Sequence, residues 1–342
     1  MLEQNKTFPN YPLAELHAHL GTSINPAIYW EIAQSLGFVL PRRDFHEFVK
    51  YVKISPENPM PLNEYFDKVY HSLLDKLSSG TLAVERGVYE IMSGAYRSNK
   101  ITLIELRTNP MKHNNGAEVD LDQLIMAMLR GMEKALLAYP RLSAGLIFCI
   151  AREFSYDLNK IIIEKAVKYR RRGVVGIDVA GPYVESFKMM EYKELFDYAR
   201  EAGLKITTHS GETRDGNDLW EAIEAAAPER VGHGIYAAYD EAMMKELAKR
   251  GTVLEVCPFS NLATRAVENE EEMRWIIRRL IEGGVKITIN TDWPEVIERN
   301  HLHEQFEWLR MQEIMSETEL EAANRLAFEA SFVPGVGLGA YL

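Results

Sequence analysis

Short apolar segments alternate with longer amphipathic ones along most of this chain. The short segments end in polar residues, glycine or proline, and helical periodicity separates them, as in Tyr192–Ala202 and Met273–Ile281. This alternation predicts repeated βα units that close into a (β/α)₈ TIM barrel. The eight predicted strands are Ala14–Gly21, Ile101–Thr108, Ala144–Ala151, Val174–Ala180, Lys205–Ser210, Arg230–Gly234, Val253–Cys257 and Lys286–Thr291.

The connection between the first two predicted strands is unusually long. Helical periodicity recurs there in Pro26–Leu36, Asp44–Val52 and Leu73–Ser98, and such a length exceeds an ordinary βα connection. We therefore expect a helical insertion over about residues 22–100 that covers the mouth of the barrel and could act as a lid. Since no repeat or linker marks a second unit, residues 1–342 are predicted to form one hydrolase barrel domain.

The charge balance limits the classes of partner. The chain has 39 basic and 50 acidic residues and a net charge of −11, which argues against a nucleic-acid partner, because that needs clustered cations. The basic run Lys168–Arg172 is short, and we expect it at the solvated end of a helix before Gly173. A small-molecule partner is expected instead, and the oligomeric state stays open.

The two cysteines and the N-terminal segment bear on location. Cys149 and Cys257 lie within apolar strand-like segments and cannot build a disulfide framework, which suits a reducing cytosol. No run approaches 18 apolar residues, and the first twelve residues lack the pattern of a signal peptide. We expect a cytoplasmic protein with no membrane partner.

Metal-ligand residue types fall near the carboxyl ends of the predicted strands. His17 and His19 end the first strand and point to the same side, since strand side chains alternate. His209 ends the fifth strand and Asp292 follows the eighth, and in a barrel these ends converge on one face. Three nitrogens and one oxygen suit one Zn²⁺ per chain, or another borderline divalent ion, with a position left for water.

Two further residues are candidates for catalysis. Glu212 follows His209 by three residues, and a carboxylate there can act as general acid and base without binding the metal; the alternative is an exposed loop glutamate. His233 lies between two glycines at the sixth strand end, where it can orient the attacking hydroxide, and the alternative is a buried structural histidine.

The remaining histidines are expected to be structural, because none matches a predicted strand end. They are His46, His71, His113, His301 and His303. His301 and His303 form a second His-x-His pair, but on a helix this spacing would turn them apart.

Six segments of the chain resemble, in order, the signature segments of the adenosine deaminase family within the amidohydrolase superfamily. They are LAELHAHLG, VVGIDVAG, THSGET, RVGHG, LEVCPFSN and NTDWPEV, and they extend from residue 13 to residue 297. The resemblance implies a zinc-dependent hydrolytic deaminase of adenosine or a related purine-like amine, in which metal-activated water attacks the ring carbon that bears the amine.

The resemblance also implies individual roles. Zinc would be bound by His17, His19, His209 and Asp292. Glu212 would donate a proton to the purine ring nitrogen, and His233 would assist the hydroxide. The backbone amide of Gly181 would form a hydrogen bond to the purine ring.

Two positions depart from the family pattern on the substrate side. Trp293 replaces a second aspartate, and indole cannot accept a hydrogen bond from a purine nitrogen. Gly21 stands where the family has a carboxylate near the 5′ hydroxyl of a nucleoside. Trp293 either fills space at the barrel mouth or forms a wall for a different ring.

These departures keep other functions open. One alternative is a metal-dependent hydrolase of another C–N bond or of a non-nucleoside heterocycle, such as a pterin-like compound or a free base. Another is a catalytically silent relative, although retention of Glu212 and His233 argues against it. The cytidine deaminase class is excluded, because it needs a Pro-Cys-x-x-Cys pair.

Overall fold

Eight parallel strands form one sheet in the order β1 to β8 in this computed structural model, which describes residues 8–115, 118–213 and 216–336, apart from the side chains of residues 62, 216 and 217. The strands are β1 (Leu13–His19), β2 (Ile101–Thr108), β3 (Ser143–Ala151), β4 (Val174–Ala180), β5 (Lys205–Ser210), β6 (Arg230–His233), β7 (Val253–Val256) and β8 (Lys286–Ile289). Each strand pairs with its successor in parallel.

The sheet closes between its last and first strands. The backbone of Asp292 donates a hydrogen bond to His17 O at 2.7 Å and accepts one from His19 N at 3.2 Å, and Ala18 forms a parallel bridge with Asp292. The predicted (β/α)₈ barrel is thereby confirmed. Closure also brings residues 275 positions apart in the chain, His17 and Asp292, side by side.

The predicted strands agree closely with those observed. The bounds of β2, β4 and β5 are as predicted, and the other five strands differ by one or two residues at one or both ends. β1 ends at His19 because a helical turn begins at Leu20. β8 ends before Asp292, whose φ of 62° cannot continue an extended strand.

The helices of the barrel alternate with the strands. They are α6 (Thr81–Asn99), α7 (Leu121–Ala138), α8 (Tyr156–Tyr169), α9 (Lys193–Glu201), α10 (Gly216–Ala225), α11 (Glu241–Arg250), α12 (Pro258–Ala263), α13 (Glu270–Glu282), α14 (Leu302–Met311) and α15 (Glu317–Ala330). Short 3₁₀ turns cover Arg170–Arg172, Met189–Tyr192 and Ile235–Tyr239. Apolar faces of the helices pack on the strands and form the core.

The insertion after β1 is helical, as expected, but it is divided differently. It contains α1 (Leu20–Ser23), α2 (Pro26–Leu36), α3 (Phe45–Val52), α4 (Leu62–Tyr65), a π-helix (Phe66–Leu74) and α5 (Asp75–Leu77). The helical periodicity of Leu73–Ser98 falls on helical segments on both sides of Gly80, whose φ of 86° separates them. Since α6 packs against α7 and β2 as a barrel helix, the insertion proper covers about residues 20–80.

The π-helix lies over the mouth of the barrel, where Phe66 and Tyr70 line the cavity at the strand ends. Two side chains of the insertion thus line the cavity, while coverage of the mouth by the whole insertion and its movement as a lid stay predictions.

Two smaller expectations can be compared with the fold. The run Lys168–Arg172 ends α8 and leads to Gly173 with φ of 114°, which confirms a basic helix end. Within the described part of the chain, no helix is both long and apolar enough to cross a membrane. The expectation for the N-terminal segment falls mostly on residues 1–7, outside the described residues.

Candidate metal centre and active-site cavity

Four predicted ligands converge at the carboxyl ends of β1, β5 and β8. One ligand atom from each of His17, His19, His209 and Asp292 lies within 4.8 Å of the others. His209 Nε2 is 3.0 Å from His17 Nε2 and 2.9 Å from His19 Nε2. Asp292 Oδ1 is 3.3 Å from His19 Nε2 and 3.6 Å from His17 Nε2.

Two buried carboxyl groups lie beside the Nδ1 atoms of His17 and His209 and determine which nitrogen of each ring carries the proton. Glu255 Oε2 lies 2.9 Å from His17 Nδ1, and Asp178 Oδ2 lies 2.9 Å from His209 Nδ1. A carboxylate beside Nδ1 holds the proton there and leaves Nε2 unprotonated. The Nε2 atoms of His17 and His209 therefore face each other without a proton between them, and a cation would relieve their repulsion.

The pKa shifts of the residues in and around the cluster favour the protonation states that metal binding requires. Burial, reinforced by the Arg107 guanidinium, lowers the pKa of His17 well below its usual value, and burial also lowers the pKa of His19. The lowered pKa favours the neutral imidazole of His17 and of His19, which is the form that binds a metal. Although burial opposes it, contact with His209 and Arg107 holds the pKa of Asp178 below its usual range. The donor set fits a divalent metal ion.

Asp292 is positioned by backbone and side-chain contacts. Its left-handed backbone conformation is uncommon for a residue with a side chain and is found more often at functional sites. Ser260 Oγ donates a hydrogen bond to Asp292 Oδ2 at 2.6 Å. Burial, together with the charge of Glu212, raises the pKa of Asp292 to about 7. A metal cation would compensate the carboxylate charge that burial disfavours.

The two predicted catalytic residues lie beside the cluster. Glu212 Oε2 is 3.8 Å from His233 Nε2, and His233 Nε2 is 4.0 Å from Asp292 Oδ2. His233 is buried and has a left-handed φ of 61°. Its Nδ1 lies 3.0 Å from the side-chain amide of Asn261, which fixes the imidazole. The carboxylate and the imidazole can exchange a proton with a group held next to the metal ligands.

A cavity of about 770 Å³, including its open mouth, contains these residues. Residues of β1, α1, the π-helix, β2 and the loop after it, and residues at or just after the ends of β3 to β6 and β8, line it. They include His19, Gly21, Phe66, Tyr70, Lys112, His113, Cys149, Gly181, His209, Glu212, His233, Asp292 and Trp293.

The three predicted substrate-side residues all lie on the wall of this cavity. Gly181 has φ of 99°, and a Cβ there would approach Glu153 Oε2 to 2.5 Å. Trp293 is only 4% exposed. Its ring lies 4.9 Å from that of Tyr65 and 5.7 Å from that of Phe66, so the indole both fills space under the insertion and forms part of the wall.

Sequence reasoning missed the buried ion network behind the metal ligands. Arg107 on β2 donates to Asp178 Oδ2 at 3.0 Å and also pairs with Glu255. Arg230 Nε donates to Glu255 Oε1 at 2.6 Å. The signal was available, because fully buried charged residues inside apolar strands require partners. The contacts themselves join distant strands.

Arg152 is a second residue that sequence reasoning missed. It lies at the end of β3, is 9% exposed, and donates to Gly181 O at 2.8 Å and to His209 O. It therefore connects the backbone of Gly181, the predicted purine contact, to that of His209, a candidate metal ligand.

One expectation about the other histidines needs correction, and one stays a prediction. His113 lines the cavity, and its Nδ1 lies 3.2 Å from Ser78 O, so its structural role stays a prediction. The prediction that His301 and His303 turn apart was wrong, because their rings are stacked with centroids 5.9 Å apart. His301 is the extended N-cap residue of α14, so helical spacing does not apply. His46 and His71 lie in the insertion, away from the ligand cluster.

The barrel, the cluster of three histidines and one carboxyl group, and the adjoining Glu212 and His233 are features of a metal-dependent barrel hydrolase. A family model described as adenosine deaminase matches residues 12–337, and this chain belongs to the adenosine deaminase family. A protein named adenosine deaminase from Clostridium perfringens is 31% identical over 298 residues, which are 87% of each chain. Another from Vibrio vulnificus is 31% identical over 281 residues, 82% of each chain.

Solved structures share the fold at lower identity. An adenine deaminase from Arthrobacter aurescens has a TM-score of 0.82 at 21% identity and covers 95% of both chains. An amidohydrolase from Burkholderia ambifaria with bound Zn has a TM-score of 0.81 at 21% identity, over 95% of this chain and 86% of that one. An N6-methyl-AMP deaminase from Arabidopsis thaliana has a TM-score of 0.78 at 23% identity, over 95% and 93%.

Proposed function

We propose that this chain is a zinc-dependent hydrolytic deaminase of adenosine or a related purine-like amine. The observation that carries the proposal is the convergence of three imidazoles and one carboxyl group beside Glu212 and His233 in one cavity. The relatives named adenosine deaminase support the reaction type over most of the chain. In this proposal one barrel domain carries the whole site.

The metal would be held by His17, His19, His209 and Asp292, at one ion per chain. When bound, it supplies hydroxide near neutral pH by lowering the pKa of a water molecule. Imidazole and carboxylate ligands favour zinc among the biological divalent ions, and one fold relative contains Zn.

Glu212 and His233 would handle the protons. Glu212 would take a proton from the attacking water and pass it to a ring nitrogen as the oxygen adds to the ring carbon that bears the amine. It would then move the proton of the new hydroxyl group to the amine, which leaves as ammonia when the C–N bond breaks. His233, held by Asn261, orients the hydroxide through Nε2. The backbone amide of Gly181 donates to the ring of the substrate.

A second candidate is hydrolysis of another C–N bond, or deamination of a free base or a pterin-like ring. It is favoured by Trp293, whose indole on the cavity wall replaces a hydrogen-bond acceptor expected for a purine. A catalytically silent barrel is disfavoured, because a mere binding protein does not require an acid–base pair next to the metal ligands.

Metal analysis and ammonia release separate these functions. The purified protein should contain about one divalent ion per chain, and His17→Ala or Asp292→Ala should lower the occupancy and abolish turnover. Ammonia release is then compared for adenosine, deoxyadenosine, AMP, adenine, N6-substituted adenines and aminopterins. Full metal occupancy in both variants would refute the ligand assignment, and no release from any of these amines would refute deamination.

The partner and the location are also proposals. The net charge of −11 supports a small-molecule partner without nucleic acid. The free, buried thiols of Cys149 and Cys257 suit a reducing, cytoplasmic location.

A further inference from the structure

Gly21 is in direct contact with the ring of Tyr70. A Cβ built on Gly21 would lie 2.7 Å from Tyr70 Cε2 and 2.9 Å from Tyr70 Cζ, closer than carbon atoms approach without a shift. Gly21 does not have a positive φ, so its backbone conformation does not require glycine. Glycine is required at this position because the tyrosine ring occupies the space that a Cβ would take.

This contact lies next to the reacting centre. Gly21 is two residues beyond the candidate ligand His19, and two residues reach at most about 7 Å. Gly21 and Tyr70 both line the cavity that contains His209 and Glu212. A substrate whose reacting carbon lies at the metal cluster must therefore fit beside the Tyr70 ring.

Both partners of the contact are held firmly. The Tyr29 hydroxyl donates to Gly21 O at 2.5 Å, and Tyr29 is fully buried. Tyr70 belongs to the π-helix, and its ring meets that of Phe66 edge to face at 5.4 Å. π-Helical segments inside longer helices are frequently found at functional sites. The ring cannot move aside without disturbing the insertion.

We propose that Tyr70 is a specificity-determining residue, whose ring limits the size of the substituent that a heterocyclic amine can carry in this cavity. The inference rests on the proposed deamination. The chain then favours compact amines, such as a free aminopurine base, over the corresponding N-glycosides. The space that a side chain at position 21 would take is occupied by the aromatic ring.

The test compares a base with its nucleoside in ring-removing and ring-retaining variants. In Tyr70→Ala, the ratio of kcat/KM for adenosine to kcat/KM for adenine should rise at least about tenfold, mainly through KM. In Tyr70→Phe the ratio should stay within about threefold of wild type, since the ring remains. Tyr51→Ala is the matched control, because Tyr51 lies on the same insertion, bonds to Lys68 O, and does not line the cavity.

A double variant tests the contact itself. Gly21→Ala should reduce turnover of every substrate, and adding Tyr70→Ala should restore part of it, because the two side chains no longer collide. Equal losses in the single and double variants would contradict the contact. Metal content and circular dichroism on all variants show whether the fold is retained.

Binding of the reaction products, measured without turnover, tests the role of Tyr70 even if the protein does not deaminate any of the amines. If the metal-loaded protein releases ammonia but Tyr70→Ala leaves the ratio unchanged, Tyr70 is not the determinant. If no amine is turned over, calorimetry with hypoxanthine and inosine decides. Tyr70→Ala should then strengthen inosine binding relative to hypoxanthine about tenfold, and an unchanged ratio, or no binding of either compound, overturns the proposal.

Discussion

The hydrogen bond from Ser260 to Asp292 offers a selective way to test the metal centre. Ser260 is fully buried on α12, and its Oγ lies 2.6 Å from Asp292 Oδ2. Ser260→Ala removes this donor and one oxygen atom but leaves the ligand carboxylate itself in the chain. Because serine and alanine are similar in size, the barrel should fold normally.

The expected magnitude follows from the contact. A buried hydrogen bond to a charged group contributes about 1.5–3 kcal/mol. Outer contacts of this kind typically change metal affinity by about 10- to 100-fold, which corresponds to about 1.4–2.7 kcal/mol. Ser260→Ala should therefore weaken zinc binding by about that factor without abolishing it.

The loss should depend on pH. Burial raises the pKa of Asp292 to about 7, and the Ser260 hydrogen bond opposes that rise. Without the serine the carboxyl group holds its proton to a still higher pH, and the proton competes with the metal. The difference in affinity between wild type and Ser260→Ala should therefore widen as pH falls from about 8 to about 6.

Zinc affinity is measured by competition with a chelator, with metal content read by mass spectrometry. Ser93→Ala is the matched control, since Ser93 is a buried serine on α6 whose Oγ has no partner among the described residues. Asp292→Asn, which removes the carboxylate itself, shows how far zinc affinity falls when this ligand is lost. If Ser260→Ala binds zinc within about twofold of wild type over this pH range, while Asp292→Asn does not bind it, the assigned role of Ser260 is refuted.

Three further predictions address catalysis, the cavity wall and an ion pair. Glu212→Gln should keep the metal and lower kcat at least about 100-fold; near-normal kcat would remove Glu212 from the mechanism. Trp293→Ala should lower the free energy of unfolding, measured in urea, by about 3–5 kcal/mol. Because Trp293 cannot accept a hydrogen bond from a purine, kcat/KM of the wild type for adenosine should stay below about 10⁶ M⁻¹s⁻¹. A higher value would mean that Trp293 only fills space. Hydrogen bonds to Glu295 and Glu304 raise the pKa of His301 to about 9. Because this pKa is above that of the unfolded chain, the ion pair stabilises the fold fully below about pH 6.5, and the stabilisation is lost as pH rises through about 9. His301→Gln should therefore lower the free energy of unfolding by about 1 kcal/mol at pH 6 and leave it unchanged at pH 10. A difference that does not vary with pH would contradict the assignment.

The sequence determined the barrel and the candidate ligands because both depend on local pattern. Strand runs end where polar residues begin, and three of the eight strands have the predicted bounds. Parallel strands in a barrel must end on one face. Residues His17, His209 and Asp292 were therefore placed together without knowledge of any contact between them.

The sequence did not reveal how those ligands are supported. Glu255 and Asp178 carry no local mark of contact with His17 and His209, because each pair is joined across the barrel. The same holds for Ser260 and Asp292. Such contacts depend on the register and twist of neighbouring strands, which only the closed sheet determines.

The insertion shows the same limit most clearly. Helical periodicity predicted helices after β1, but it could not predict the break at Gly80, the π-helical turn or the direction of each side chain. Tyr70 reaches Gly21 across forty-nine positions of sequence, and Trp293 packs on Tyr65 from the opposite end of the chain. The local pattern thus determined the candidate ligands, whereas long-range packing determined the shape of the cavity around them. In a close-packed interior, small shifts decide which side chains touch, and no local pattern records those shifts.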